Sequence, residues 1–322
     1  MEYFWCGSFQ SFFMALSLKD TGKSITIISP NSSVVKTCKL MGIPFLSVSS
    51  YSANDLIFDF LRIKKNINNI QDSLEKTRLY FSHTQYDVFC FIFVKYFSRR
   101  GKVIFFNFEL EYEEVNRFVA KYRYLKFIVK KMLINLIYGT NIIIKRNGDF
   151  YILSINNAFI KKNNIEVVDN KSVFFNIIIN VVRNNQIKSN NSDILFLYDD
   201  YQYVVTEDSL DRLYRHLRDY DISIKSHPHC KDVNPILSAK YKFPNYIPVE
   251  FLIDNINRAV LSICSAALVP ATKFSNLKVV SLLNLVDWKQ KDYKNTIKKY
   301  LIESSNNMIY FPSEFSELEK FL

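Results

Sequence analysis

A doubly wound α/β protein in two domains is what this sequence predicts, on three observations. Short apolar runs of strand length alternate with longer runs patterned for helices, both before and after the middle of the chain. A polar stretch, RNNQIKSNNSD at 183–193, parts the two series. The 322 residues also exceed what one hydrophobic core organises, since cores stop growing at roughly 250 to 300 residues. The expected division is a first domain over 1–182, a linker over 183–193 and a second domain over 194–305. A closing segment, 306–322, is expected to form a helix that can pack back on the first domain.

In the first domain, EYFWCG reads as a short strand and SFQSFFMALSLKD as a helix opened by Ser8, whose hydroxyl suits an N-cap. SITIISP is a strand, NSSVVKTCKLMG a helix closed by Gly42, and IPFLSVS a strand. YDVFCFIFVKYFSRRG is apolar enough for a buried strand or a helix, and KVIFFNFE is a strand. RFVAKYRYLKFIVKK, with Arg117, Lys121, Arg123, Lys126, Lys130 and Lys131 among apolar residues, reads as a basic amphipathic helix. Such a helix is either a solvated face of a packed element or a surface that lies on anionic lipid. Beyond the linker, ILFLYDD is a strand, TEDSLDRLYRHLRDY a helix with acids in its first turn, and ISIKSHP a strand. AVLSICS and KVVSLLN are further strands, and PSEFSELEKFL is the closing helix.

Composition narrows the function classes. With 48% hydrophobic and 23% charged residues the chain is suited to packed cores and unlike a disordered one. The five cysteines are odd in number and lack a CxxC pair, which argues against a disulfide framework or a zinc site and for a reducing, cytoplasmic setting. The apolar first twenty residues lack a basic n-region and carry Glu2, so they are expected to belong to the fold and not to a signal peptide. No uncharged apolar stretch reaches the length of a spanning helix. The net charge of +11 comes without a recognisable nucleic-acid-binding motif, and nucleic acid is not the expected partner.

The chemistry-bearing residues gather in the second domain. KSHPHC places Lys225, His227 and His229 at the carboxyl end of a predicted strand, where open α/β sheets bind ligands. Pro228 holds His227 extended. His83 and His216 are expected to have no chemical role. IPVEFLIDN sets Glu250 in an apolar junction, a costly place for an acid without partners. LSICSAAL runs a strand into a turn of small residues, Cys264 and Ser265 among them. Such a turn is expected to leave backbone N–H groups and a hydroxyl for one phosphate.

In this order, a strand ending in HP, then IPVEFL, then a strand ending in a small-residue turn, these motifs resemble the C-terminal half of bacterial lipooligosaccharide sialyltransferases and capsule polysialyltransferases. FWCGSFQSFFMALSL is similar to the opening strand, loop and helix of the lipooligosaccharide enzymes, with Gln10 in place and Ser8 where proline is usual. The resemblance implies a GT-B fold, two Rossmann-like domains facing a central cleft, and an inverting transfer from a CMP-activated nonulosonic acid, without a metal or other cofactor. It implies that His227 binds and protonates the departing phosphate, Glu250 holds the ribose hydroxyls, and Ser265 donates to the phosphate. Cys264 stands in the place of a second serine, and Ser8 and Gln10 lie on the acceptor or sugar side. One phosphodiester carries little enough charge for a histidine and hydroxyls to offset it without a divalent ion.

The catalytic base of these enzymes is an acid in a D/E-D/E-G motif, which this chain lacks. Glu109, at the end of KVIFFNFE, is the first choice and Glu111 the second, while an alignment on Tyr112 would put Asn107 near the base position, and Asp199 and Asp200 are a further alternative. The expected partners are CMP-sialic acid or a similar donor, a lipid-linked or surface glycan such as a lipopolysaccharide, O-antigen or capsule acceptor, and the anionic inner face of the cytoplasmic membrane. A Kdo or legionaminic acid transferase, a CDP-polyol phosphotransferase and a catalytically inactive nucleotide-binding scaffold are the alternatives.

Overall fold

A computed structural model describes residues 2–48, 61, 65, 67–68, 77–82, 88–99, 101–107, 129, 132, 136, 143–147, 150–154, 157–169, 173–185, 187, 190–228, 230, 232–274 and 277–322. The chain divides into two compact units, Met1–Ile177 and Ile178–Leu322. Each is an α/β unit built on a parallel sheet, so the two Rossmann-like components of the fold class expected from the sequence are both present.

In the first unit, strands β1 (Glu2–Trp5), β2 (Ile25–Ser29), β3 (Phe45–Ser47), β4 (Arg78–Phe81), β5 (Lys102–Asn107) and β8 (Glu166–Asp169) form a parallel sheet in the order β3-β2-β1-β4-β5-β8. A separate antiparallel hairpin pairs β6 (Ile143–Asn147) with β7 (Phe150–Ser154). The central strands β1, β4 and β5, with β2, are largely buried, as strands inside a parallel sheet are, while the edge strands β3 and β8 are mostly exposed; the two-residue period sorts the side chains. On one face Tyr3, Trp5, Leu79, Phe81, Val103 and Phe105 form a core with residues of helix α3 (Val88–Phe97). On the other, Phe4, Tyr80 and Phe106 stack with centroids 5.7 to 6.1 Å apart. The run expected as either strand or helix is helical because Cys90, Phe93, Val94 and Phe97 recur at helical spacing and all are buried. Helix α1 (Phe9–Asp20) has the cap expected of Ser8, whose Oγ accepts from the Ser11 N–H, and α2 (Ser32–Leu40) is capped by Asn31, whose Oδ1 accepts from the Ser33 N–H.

Helix α4 (Asn157–Lys162) precedes β8, and α5 (Phe174–Asn184) carries the chain across the 177/178 division. The polar stretch expected as a linker thus begins in the last turn of α5 and ends in β9 (Ser192–Tyr198).

In the second unit β9, β10 (Ile222–Ser226), β11 (Tyr241–Phe243), β12 (Ile256–Ser262) and β13 (Lys278–Ser281) form a parallel sheet in the order β11-β10-β9-β12-β13. Helix α6 (Glu207–Arg218) buries Leu210, Leu213, Tyr214 and Leu217. Its acids lie in the first turn and its bases in the last, complementing the helix dipole. Helices α7 (Leu268–Ala271), α8 (Lys291–Ser305) and α9 (Phe315–Leu318) complete the unit. From the closing segment, Leu318 and Leu322 enter this unit's core, and Phe315 packs on His216 at a centroid distance of 4.6 Å. The chain winds from β9 outward through β10 to β11, then returns to place β12 on the other side of β9. The carboxyl ends of β9 and β12 are therefore the topological switch point, the usual position of a ligand crevice in such sheets.

Candidate functional site

Three loops leave the carboxyl edge of the second sheet side by side. From β10 the chain passes through His227, whose backbone N–H donates to Tyr198 O at 2.8 Å and so extends the pairing with β9 by one residue. The Cys230 N–H closes a tight turn onto His227 O at 2.9 Å. His227 is exposed at this corner; His229 lies outside the described residues.

From β12, Ser262 is fully buried and central to the next loop. Its Oγ lies 3.1 Å from the Tyr201 hydroxyl and 3.3 Å from Leu197 O, and it accepts the Ser265 N–H at 3.1 Å. Ser265 Oγ in turn accepts the Ala267 N–H at 3.2 Å. Two of the N–H groups expected to await a phosphate are thus used within the turn, because the preceding serine hydroxyls reach them first. The four-residue α7 that follows is too short to offer a helix terminus, and what Ser265 has to offer an anion is its hydroxyl proton. Cys264 is half-buried, and burial, with Asp199 nearby, pushes its thiol up to about 12, so it stays protonated and donates weakly.

Between these loops, from β9, Asp199 Oδ1 accepts from the Asp200 N–H at 2.8 Å and lies 3.4 Å from Cys230 Sγ. Burial, then this carboxylate, raises the Cys230 thiol to about 11. Asp199 therefore sits between the histidine corner and the serine turn, with its side chain bonded on the Cys230 side. Tyr201, buried beneath it, has its hydroxyl pushed far up by burial and is a neutral hydrogen-bond partner.

The third cluster lies on the β11 side. Lys225, in β10, is buried, and its ammonium donates to Ser226 O at 2.7 Å and Asn245 O at 3.1 Å. Burial pulls it down to about 8, against the opposing pull of Glu250 and Cys230. Glu250 lies in a 3₁₀ turn, Val249–Phe251. Burial raises its carboxyl, offset by its own backbone hydrogen bond and by Lys225. Neither this ammonium, with its Asn245 partner twenty residues on, nor Ser262 was singled out as an organiser from sequence.

On the first unit, Ser8 is spent in capping α1, its Oγ also lying 3.2 Å from Ser11 Oγ, while Gln10 is exposed in the first turn. Glu109, Glu111 and Tyr112 lie outside the described residues; Asn107 ends β5 opposite Asp169. His216 packs between Tyr220 and Phe315. Among the described residues no group of three or more His, Cys, Asp or Glu side chains could hold a metal ion, and no helix is long and apolar enough to cross a membrane.

No protein-family model matches the chain, and no curated protein shows significant similarity to it. Among solved structures it is similar to CalG4, the calicheamicin glycosyltransferase, with a TM-score of 0.46 and 11% identity over 99% of this chain and 88% of that one. It is also similar to the glycosyltransferase SnogD from Streptomyces nogalater, with a TM-score of 0.44 and 7% identity over 100% and 99%. For the wall teichoic acid polymerase TagF the TM-score is 0.41, with 8% identity over 99% and 86%.

Proposed function

We propose that the chain is an inverting, metal-independent glycosyltransferase that moves sialic acid or a related nonulosonic acid from its CMP conjugate to a hydroxyl of a bacterial surface glycan. The observation that supports this most is the carboxyl edge of the second sheet, where His227, the Ser265 hydroxyl and the half-buried Glu250 with the buried Lys225 come from neighbouring loops. A nucleoside monophosphate has two features to recognise there, a ribose diol and one phosphate. The carboxylate of Glu250 accepts from the diol. The His227 imidazolium and Ser265 O–H donate to phosphate oxygens and gain strength as the negative charge on the leaving CMP grows.

In the transfer, the acceptor hydroxyl oxygen forms a bond to the anomeric carbon while the bond from that carbon to the phosphate oxygen breaks on the opposite face. The hydroxyl proton goes to a carboxylate, for which Glu109 is the candidate and Glu111 the second, and His227 delivers a proton to the departing phosphate. The acceptor side of the reaction, with Ser8 and Gln10, belongs to the first unit in this reading.

An anionic lipid surface is the further partner proposed, at the inner face of the cytoplasmic membrane. The helical residues Val129, Met132 and Leu136 are 50%, 65% and 81% exposed at spacings of three and four, in a stretch whose sequence interleaves Lys126, Lys130 and Lys131.

The test is a thermal-shift titration with CMP, CDP, UDP and GDP, without metal and then with magnesium. A metal-independent rise with CMP, lost in His227→Ala, is the expected result, followed by transfer from CMP-sialic acid that Glu109→Gln abolishes. Stabilisation by another nucleotide alone overturns the donor. Transfer only from CMP-Kdo or CMP-legionaminic acid, or of a polyol phosphate from its CDP conjugate, moves the chain to those classes. CMP binding without transfer from any donor makes it a scaffold.

A further inference from the structure

We infer that Lys225 is a positioning residue for His227: its ammonium holds the peptide group that leads into the histidine corner, on the side where the sheet no longer does. This role presupposes that His227 donates to the nucleotide phosphate, as proposed above.

Ser226 and His227 share one peptide group, whose carbonyl and N–H point opposite ways. The N–H faces β9 and donates to Tyr198 O at 2.8 Å. The carbonyl is therefore turned toward the β11 side of β10, where the pairing has just stopped. Ser226 is paired with Tyr198 on β9, but the register with β11 ends one residue earlier, at Lys225 opposite Phe243. Beyond Phe243 the chain enters a turn, closed by the Ile247 N–H on Pro244 O at 3.2 Å, and leaves the line of the strand. A carbonyl left by its ladder needs another donor. The Lys225 ammonium supplies it at 2.7 Å, and with a second N–H it reaches Asn245 O, inside that turn, at 3.1 Å. The peptide group before His227 is thus bonded at both ends, and β10 is tied to the turn after β11 at the point where their pairing stops.

A lysine is an unusual occupant of this place. Lys225 lies between Leu197 of β9 and Phe243 of β11 and is 5% exposed. A buried ammonium is tolerated only where hydrogen bonds replace its hydration, and the two carbonyls do so. Such charge-assisted bonds hold a peptide more firmly than neutral ones. From the other side, Pro228 restricts the backbone of His227. With the peptide before it clamped and a proline after it, His227 has its backbone set before any ligand arrives. A group placed in advance loses little affinity to ordering when it binds.

The experiment measures CMP affinity by calorimetry on the full chain for Lys225→Met and Lys225→Gln, each alone and combined with His227→Ala. Methionine removes the donors. Glutamine is polar but one bond shorter than lysine, and carries the test should the methionine variant not fold. The expected result is that either substitution weakens CMP binding about tenfold with His227 present and less than about twofold with alanine there, because a residue that acts through the imidazole then has nothing to place. Hydrogen exchange of the His227 N–H reads the clamp without a ligand and should quicken about tenfold or more in both variants. Equal losses of affinity with and without His227 overturn the inference and make Lys225 a support of the whole site. A His227 N–H that exchanges as slowly without the ammonium as with it overturns it too. If His227→Ala by itself binds CMP as tightly as the natural sequence, it is the reading of His227 as a phosphate donor that fails, and exchange alone then decides whether Lys225 fixes this peptide.

Discussion

His227 and Ser262 differ at the carboxyl edge: the first is exposed, the second buried and spent on the turn itself. Their substitutions should separate accordingly. In the proposed role, His227→Ala is expected to weaken CMP binding about ten- to a hundredfold, as for loss of a charge-assisted bond, in a titration of the folded protein. Ser262→Ala leaves the buried Tyr201 hydroxyl without its partner and frees the Ser265 N–H, and should cost about 1 to 3 kcal/mol in urea unfolding. The histidine corner was legible in the sequence because a His-Pro pair after an apolar run has few structural uses and the strand end fixes its place. The serine turn was legible only as a small-residue loop. Which hydroxyl meets which N–H depends on φ and ψ after Ser262, so the expectation of free backbone donors at Ser265 and Ala267 is corrected by the structure. The partners of Lys225 come from separate segments, a kind of contact that residue spacing in one chain does not specify.

Elements with sustained helical periodicity were read with little loss, as α1, α2 and α6 show. Asn31→Ala should remove the oxygen that accepts two N–H groups at the start of α2 and cost about 1 kcal/mol in thermal or urea unfolding. Some of the elements that escaped are short, while α5 and α8 are full-length helices. Strand β4 is four residues long and owes its place to pairing on both sides, with β1 and β5, and to an Arg78–Glu2 contact of 3.3 Å, none of which a local pattern contains. The hairpin β6–β7, strands β8 and β11, and helices α5 and α8 were likewise absent from the reading. Between α3 and β5 the chain turns at Gly101, where a Cβ would lie 2.3 Å from Thr77 O. Thr77 O also accepts the Lys102 N–H at 3.1 Å, so the carbonyl cannot withdraw without loosening the start of β5. Gly101→Ala should therefore destabilise the first unit by about 1 to 3 kcal/mol, read from its unfolding midpoint.

At the scale of the whole molecule each unit has its own core and, conveniently, its own tryptophan, Trp5 in the first and Trp288 in the second. In Trp5→Phe, fluorescence follows the second unit alone, and CMP at about a hundred times its dissociation constant should stabilise that signal by about 2.7 kcal/mol. In Trp288→Phe the remaining signal reports whether the first unit shares the gain. Cosedimentation with vesicles containing phosphatidylglycerol should fall steeply as salt is raised from 0.05 to about 0.5 M if the basic stretch meets the lipid through charge. The cysteines have a practical corollary. All five are free thiols, and Cys6, Cys38, Cys90 and Cys230 are buried, with burial holding Cys6, Cys38 and Cys230 protonated. A maleimide dye should therefore pass over these four in the native protein, and Cys264→Ser would silence the half-buried fifth. An added cysteine at an exposed position such as Gln10 then becomes a single point of attachment, and the protein can carry a fluorescent tag or a spin label with its four buried thiols left in place.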